Sequence, residues 1–203
     1  MNKTVGLKKT WYTDGVIKEV YYTSGNKKHG EYKKFSKDGH VITSCHYVSG
    51  KINGELNKIE GEWSHRFEYR NGKRHGVQFV YDEGKLAKKY YCINGKLHGE
   101  YVIYDDNEVI MVACNYINDL LGGEFSLYRN GQRLWRLHFK KDKLHGDCIQ
   151  YSAKTYILAH FREGEPIKKW KEIDQNGKTL KTYVSSKLLA KSLFNYRIFN
   201  LST

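Results

Sequence analysis

Four histidines, His29, His75, His98 and His145, each stand immediately before a glycine, and imidazoles recurring at one position invite a metal site. Zinc needs its nitrogens about 2.0 to 2.1 Å from one ion. A repeat made of two strands holds equivalent residues roughly 10 Å apart, too far for two rings to share an ion. The expected role is instead a ring that hydrogen-bonds turn backbone beside the next glycine. His40, His46, His65, His138 and His160 share no spacing. The acids Glu31, Glu55, Glu100, Glu124 and Asp147 each follow a glycine of the same repeat, Gly30, Gly54, Gly99, Gly123 and Gly146, with Val77 the exception after Gly76. One acid per repeat suggests a repeated structural contact, such as accepting N–H groups of the adjacent turn. Catalysis needs a nucleophile, a base and a shaped cavity gathered from different parts of a fold. No glycine-rich loop leads into a helix carrying Lys and Ser or Thr, so a phosphate cradle is missing as well. Cys45, Cys92, Cys114 and Cys148 form no Cys-x-x-Cys pair, and Cys92 and Cys148 fall in apolar columns as small core residues suited to a reducing compartment. The expectation is a chain without catalytic residues, bound metal or cofactor.

The elements that position these residues follow from the glycines themselves. Gly30, Gly54, Gly76, Gly99, Gly123 and Gly146 are separated by 24, 22, 23, 24 and 23 residues. A fixed period of this size marks a stacked array of small units, none of which buries its apolar face alone. One apolar column lies five residues after each glycine: Phe35, Ile59, Tyr81, Tyr104, Tyr128 and Tyr151. A second contains Tyr22, Tyr47, Tyr69, Cys92, Tyr116, Phe139 and Phe161. The dipeptides Asp14-Gly15, Asp38-Gly39, Glu83-Gly84, Asn130-Gly131 and Asn176-Gly177 predict two-residue hairpin turns. Stretches such as Gly95 to Gly99 predict a longer second connection. The short segments between turns are rich in Tyr, Phe, Val and Ile and suit strands. The fold expected is all-β, a single elongated antiparallel meander of about seven stacked hairpins over residues 1–184.

The units Gly72-Lys73-Arg74-His75-Gly76 and Asn94 to Tyr104 resemble the MORN repeat, in the variant form common in bacterial and large-virus proteins. The resemblance covers roughly Trp11 to Tyr183. The pattern departs where Asn53 and Gly122 replace the turn histidine, at a second Gly61-Glu62-Trp63, and where Pro166 takes the place of a Gly-Glu pair. The resemblance implies a curved sheet of hairpins acting as a scaffold, with binding of other proteins or of anionic lipid.

The formal charge is +13, from 35 Lys and Arg against 22 Asp and Glu. Such a balance suits an anionic partner, although lysines on a sheet also discourage edge pairing. Lys51, Lys73, Lys96 and Lys143 occupy one turn position and predict a row of cations along one long side, suited to polyphosphate, phosphoinositide head groups or an acidic protein. Nucleic acid is a less favoured partner. Tyr 17 within an aromatic share of 14% predicts a thin, ring-filled core. Met1 to Thr10 carries Lys3, Lys8 and Lys9 and no apolar run, and no stretch reaches the length of a membrane span, so an intracellular (cytoplasmic) protein is expected, or one assembled into a virion.

From Ser185 the hairpin punctuation stops, and residues 185–203 predict a helix capped by Ser185 or Ser186. Leu189, Leu193 and Tyr196 fall on one face, with Phe194 and Ile198 on a neighbouring one. The helix either caps the last hairpins or docks on another subunit or a membrane. The functional expectation is a non-catalytic scaffold for protein–protein interaction or assembly, with a protein partner or a second copy. The alternatives are a peripheral binder of anionic lipid head groups and a structural component of a large DNA virus.

Overall fold

The computed structural model describes residues 5–184, and no helix occurs among them. The expected helix, with Leu189, Leu193, Phe194, Tyr196 and Ile198, falls on residues 185–203 and lies outside the described residues. The chain divides into two compact units, Met1–Glu108 and Val109–Thr203. Both are antiparallel hairpin meanders.

The first unit holds β1 (Val5–Trp11), β2 (Ile17–Ser24), β3 (Lys27–Phe35), β4 (Val41–Val48), β5 (Lys51–Glu60), β6 (Trp63–Arg70), β7 (Lys73–Asp82), β8 (Lys85–Ile93) and β9 (Lys96–Tyr104). Each pairs with the next in chain order. The second unit holds β10 (Ile110–Ile117), β11 (Leu120–Arg129), β12 (Gln132–Lys140), β13 (Lys143–Leu144), β14 (Gly146–Tyr151), β15 (Thr155–Arg162), β16 (Glu165–Pro166), β17 (Trp170–Asp174) and β18 (Thr179–Tyr183). There β13 and β16 are two-residue pieces, after which β12 goes on to pair with β14 and β15 with β17.

The turns differ from expectation in an instructive way. Asn71-Gly72 and Asn94-Gly95 have positive φ at both residues, so a tight two-residue turn stands where a longer connection was expected. The repeat glycines are therefore inside strands and not in turns. Gly30, Gly54, Gly76, Gly99, Gly123 and Gly146 have φ between 82° and 98°. Beside five of them the pairing register slips, and at Gly146 the strand paired with β12 is interrupted; these are β-bulges, one per repeat. At the opposite ends of the strands, Glu83-Gly84 and Asn130-Gly131 form the expected two-residue turns. The loops at Gly15, Gly39 and Gly177 are longer by one residue, with only the glycine at positive φ. There a type I turn precedes the glycine, closed by Gly15 N to the Tyr12 carbonyl at 3.1 Å and by Tyr12 N to the Val16 carbonyl at 2.8 Å.

The deepest side chains also differ from the expected columns. Those five residues after each glycine stay partly open, and Ile59 is 50% exposed. The residues two after each glycine, Tyr32, Leu56, Gln78, Tyr101, Phe125 and Cys148, are all buried. Register places them mid-strand, where side chains of both neighbouring strands close over them. The second expected column is buried from Cys92 onward, whereas Tyr22 is 38% exposed.

Candidate functional site

Consecutive turns touch along the glycine-bulge side of the first unit. Gly50 N donates to the Lys28 carbonyl at 2.7 Å, Gly72 N to Ile52 at 2.8 Å and Gly95 N to Arg74 at 2.7 Å. Two turn histidines of the unit join this geared contact, whereas His98 Nδ1 is buried without a hydrogen-bond partner. His29 Nδ1 accepts from Ser49 N at 3.4 Å and His75 Nδ1 from Asn94 N at 3.5 Å. Asn53, which replaces the histidine, does the same with its side-chain oxygen, accepting from Asn71 N at 3.1 Å. In the second unit His145 Nδ1 accepts from Glu163 N at 3.5 Å. These are backbone contacts of the kind expected, and among the described residues no group of three metal-ligating side chains occurs.

The lysine row has a physical basis in the same gearing. The aliphatic stem of Lys51 lies 3.4 Å from where a Gly72 Cβ would stand, and that of Lys73 lies 3.8 Å from the Gly95 position. Each stem thus packs over the glycine of the following turn and leaves its ammonium in water. Lys51, Lys73 and Lys96 are exposed in the first unit, and Lys143 is exposed in the second. Lys27 was missed. It packs on Gly50 at 3.6 Å, and like the others it stands three residues before a repeat glycine, so the spacing alone would have found it.

The acids after the repeat glycines were expected to take turn N–H groups, and they do not. Glu100 meets Lys89 at 2.8 Å, Asp147 meets His160 Nδ1 at 2.5 Å, and Glu124 lies 3.5 Å from Arg133. Their partners stand on adjacent strands because these carboxylates point off the sheet beside the next ladder. Such half-exposed pairs contribute little stability. The third repeat has Val77 instead of an acid. There the Glu68 carboxylate fills the space a Gly76 Cβ would take and accepts from Val77 N at 3.3 Å.

One face of the first unit carries a continuous row across β2 to β9: Tyr21, Tyr32, Cys45, Leu56, Phe67, Gln78, Tyr90 and Tyr101. Two cations lie on these rings. Lys28 Nζ is 4.1 Å from the Tyr32 centroid, 4.6 Å from Tyr21 and 5.5 Å from Tyr47. Arg74 sits 4.2 Å over Phe67 and donates to the Tyr90 hydroxyl at 3.0 Å. Such contacts are worth about 0.5 to 2 kcal/mol each, depending on desolvation. Burial, and then the Glu19 carboxylate that accepts from its hydroxyl at 2.8 Å, raise the Tyr32 pKa. Burial likewise raises the Cys45 thiol, against the opposing pull of Lys28.

Two open depressions lie on this face. The first, about 430 Å³, is lined by Tyr32, Tyr47, Phe67, Tyr69, Arg74 and the row of Lys34, Lys58 and His65. The second, about 250 Å³, is lined by Trp63, Leu86, Lys88, Ile103 and Tyr104 with acids at its rim. Within this unit the main packing of each strand is against its sequence neighbours, so among the described residues no second layer belonging to the unit roofs either depression. No protein-family model matches the chain, and no curated protein matches it in sequence.

Proposed function

We propose that the chain is a MORN-type repeat protein serving as a non-catalytic scaffold, and that the ring-bearing face of its first unit receives a segment of a protein partner. The observation that carries this reading is the unroofed row from Tyr32 to Tyr101, with Lys28 and Arg74 poised on its rings. Rings with hydroxyls and guanidinium beside them are the side chains that dominate protein interfaces. A photo-crosslinking residue placed at Tyr47 or Tyr69 should capture a protein in the native source, while one at Asn57, exposed on the opposite face, should not. Equal capture from both faces, or none from Tyr47 and Tyr69, rejects the reading.

The turn lysines support a second reading, a peripheral contact with anionic lipid, because Lys27, Lys51, Lys73 and Lys96 are exposed and none forms an ion pair among the described residues. Sedimentation with phosphatidylserine vesicles tests it. Binding that salt does not weaken, or no binding, removes it.

A further inference from the structure

The two turn edges of the first unit carry opposite charge. Along the glycine-bulge edge, the segments 24–28, 48–52, 70–74 and 93–97 contain no acid. Lys27, Lys51, Arg70, Lys73 and Lys96 are exposed there. Along the other edge every turn carries acid, with Asp14, Asp38, Glu60, Glu62, Glu83 and Asp106 exposed and Lys37 and Lys85 the cations interspersed. Those turns also touch one another: Glu83 N donates to the Glu62 carbonyl at 3.0 Å, and Leu86 N to the Glu108 carboxylate at 2.7 Å.

Strands of eight to ten residues separate most of these edges. At about 3.4 Å per residue that is roughly 30 Å, three Debye lengths at 0.1 M salt. The edges therefore do not neutralise each other within one molecule. Both are built from ends of the same strands, so basic turns and acidic turns recur at the same spacing of about 10 Å. A second copy shifted sideways by one strand length would set its acidic turns against the basic ones with matched period along the whole edge.

We infer that the first unit associates with a second copy of this chain through a heterologous contact, acidic turn edge against basic turn edge. The contact uses the turn edges and not the ring-bearing face, so it stands or falls separately from the partner reading above. Because a pair leaves a basic edge unused on one copy and an acidic edge unused on the other, the contact propagates head to tail.

Two variants test it in the full chain. One neutralises the acidic edge with Asp38→Asn, Glu62→Gln, Glu83→Gln and Asp106→Asn. The other neutralises the basic edge with Lys27→Gln, Lys51→Gln, Lys73→Gln and Lys96→Gln. Circular dichroism melts establish that both are folded, and sedimentation velocity reads their mass. The wild-type chain should self-associate at low ionic strength and dissociate near 1 M salt, where the Debye length is about 3 Å. Each variant alone should stay monomeric, and an equal mixture should stop at a one-to-one pair, since only one productive contact remains. A wild-type chain that stays monomeric in low salt overturns the inference. So does either variant that associates as the wild type does, or a mixture that forms no pair. Binding of the wild type to phosphatidylserine vesicles without self-association, lost in the lysine variant, would assign the basic edge to lipid instead.

Discussion

The two units are built on one repeat and fill its central row differently. In the first the row runs Tyr32, Cys45, Leu56, Phe67, Gln78, Tyr90, Tyr101, and its buried members other than Gln78 retain 5 to 9% exposure. In the second it runs Cys114, Phe125, Leu137, Cys148, Ala159, with exposure of 0 to 2%. Trp170 and Phe161 add to that dry interior with ring centroids 5.8 Å apart. The edges differ too. Turns of the second unit mix signs, as in Lys140-Lys141-Asp142-Lys143 and Arg162-Glu163-Gly164-Glu165, whereas those of the first are sorted. One backbone plan thus supports a unit with a dry central row and a unit whose central row stays more open.

That contrast can be broken most forcefully in the dry row. Leu137→Ala, at 0% exposure, should lower unfolding free energy by about 3 kcal/mol in denaturant titration, whereas Ile59→Ala, at 50% exposure, should cost under about 0.5 kcal/mol. Next come the bulge glycines. Gly76→Ala must displace the Glu68 carboxylate and hold φ near 98°, and should cost about 2 kcal/mol; Gly146→Ala meets nothing nearer than His138 at 3.9 Å and should cost about 1 kcal/mol, the left-handed strain alone.

Arg74→Met removes the cation from Phe67 and the bond to Tyr90, and should cost about 1 kcal/mol with the other unit unaffected. The smallest effect is alkaline. Burial pushes the Cys114 and Cys148 thiols up to about 12. An unfolded thiol loses its proton near pH 8.5, so each site contributes stability that is complete below that pH and falls as pH rises toward about 12. Melts at pH 8.5 against pH 7 should show a loss of about 0.4 kcal/mol for each of these two thiols, a part that disappears when Cys148→Ala and Cys114→Ala are combined.

The turn plan was legible because its residues answer to backbone geometry. Glycine takes most of the positive-φ positions, with residues such as Asn71 and Asn94 beside it in the turns, and Lys27, Lys51 and Lys73 are held at one spacing because each stem covers the glycine of the next turn. The hairpin meander followed from that punctuation. The deepest row was not legible, since a mid-strand position roofed by its neighbours accepts Tyr32, Leu56, Gln78 or Cys148 alike. Lys28 and Arg74 escaped for a related reason. Their column reads Lys28, Ile52, Arg74, Leu97, and only the placement of Tyr32 and Phe67 beside two of its members turns it into a cation–ring pattern. Loop length at Gly15 and Gly39 was hidden as well, because the same Asp-Gly pair serves a two-residue turn and a type I turn with a following glycine.

Within each unit, strands pair with those adjacent in the chain, apart from the steps over β13 and β16. Sheets are ordinarily slow to form because their partners are distant in sequence, and loop-closure entropy must be met before pairing returns anything. Here every closure spans one tight turn. A nascent chain leaving the ribosome can add one finished hairpin to the growing edge at a time, so assembly should start wherever a first pair is stable and spread outward from it.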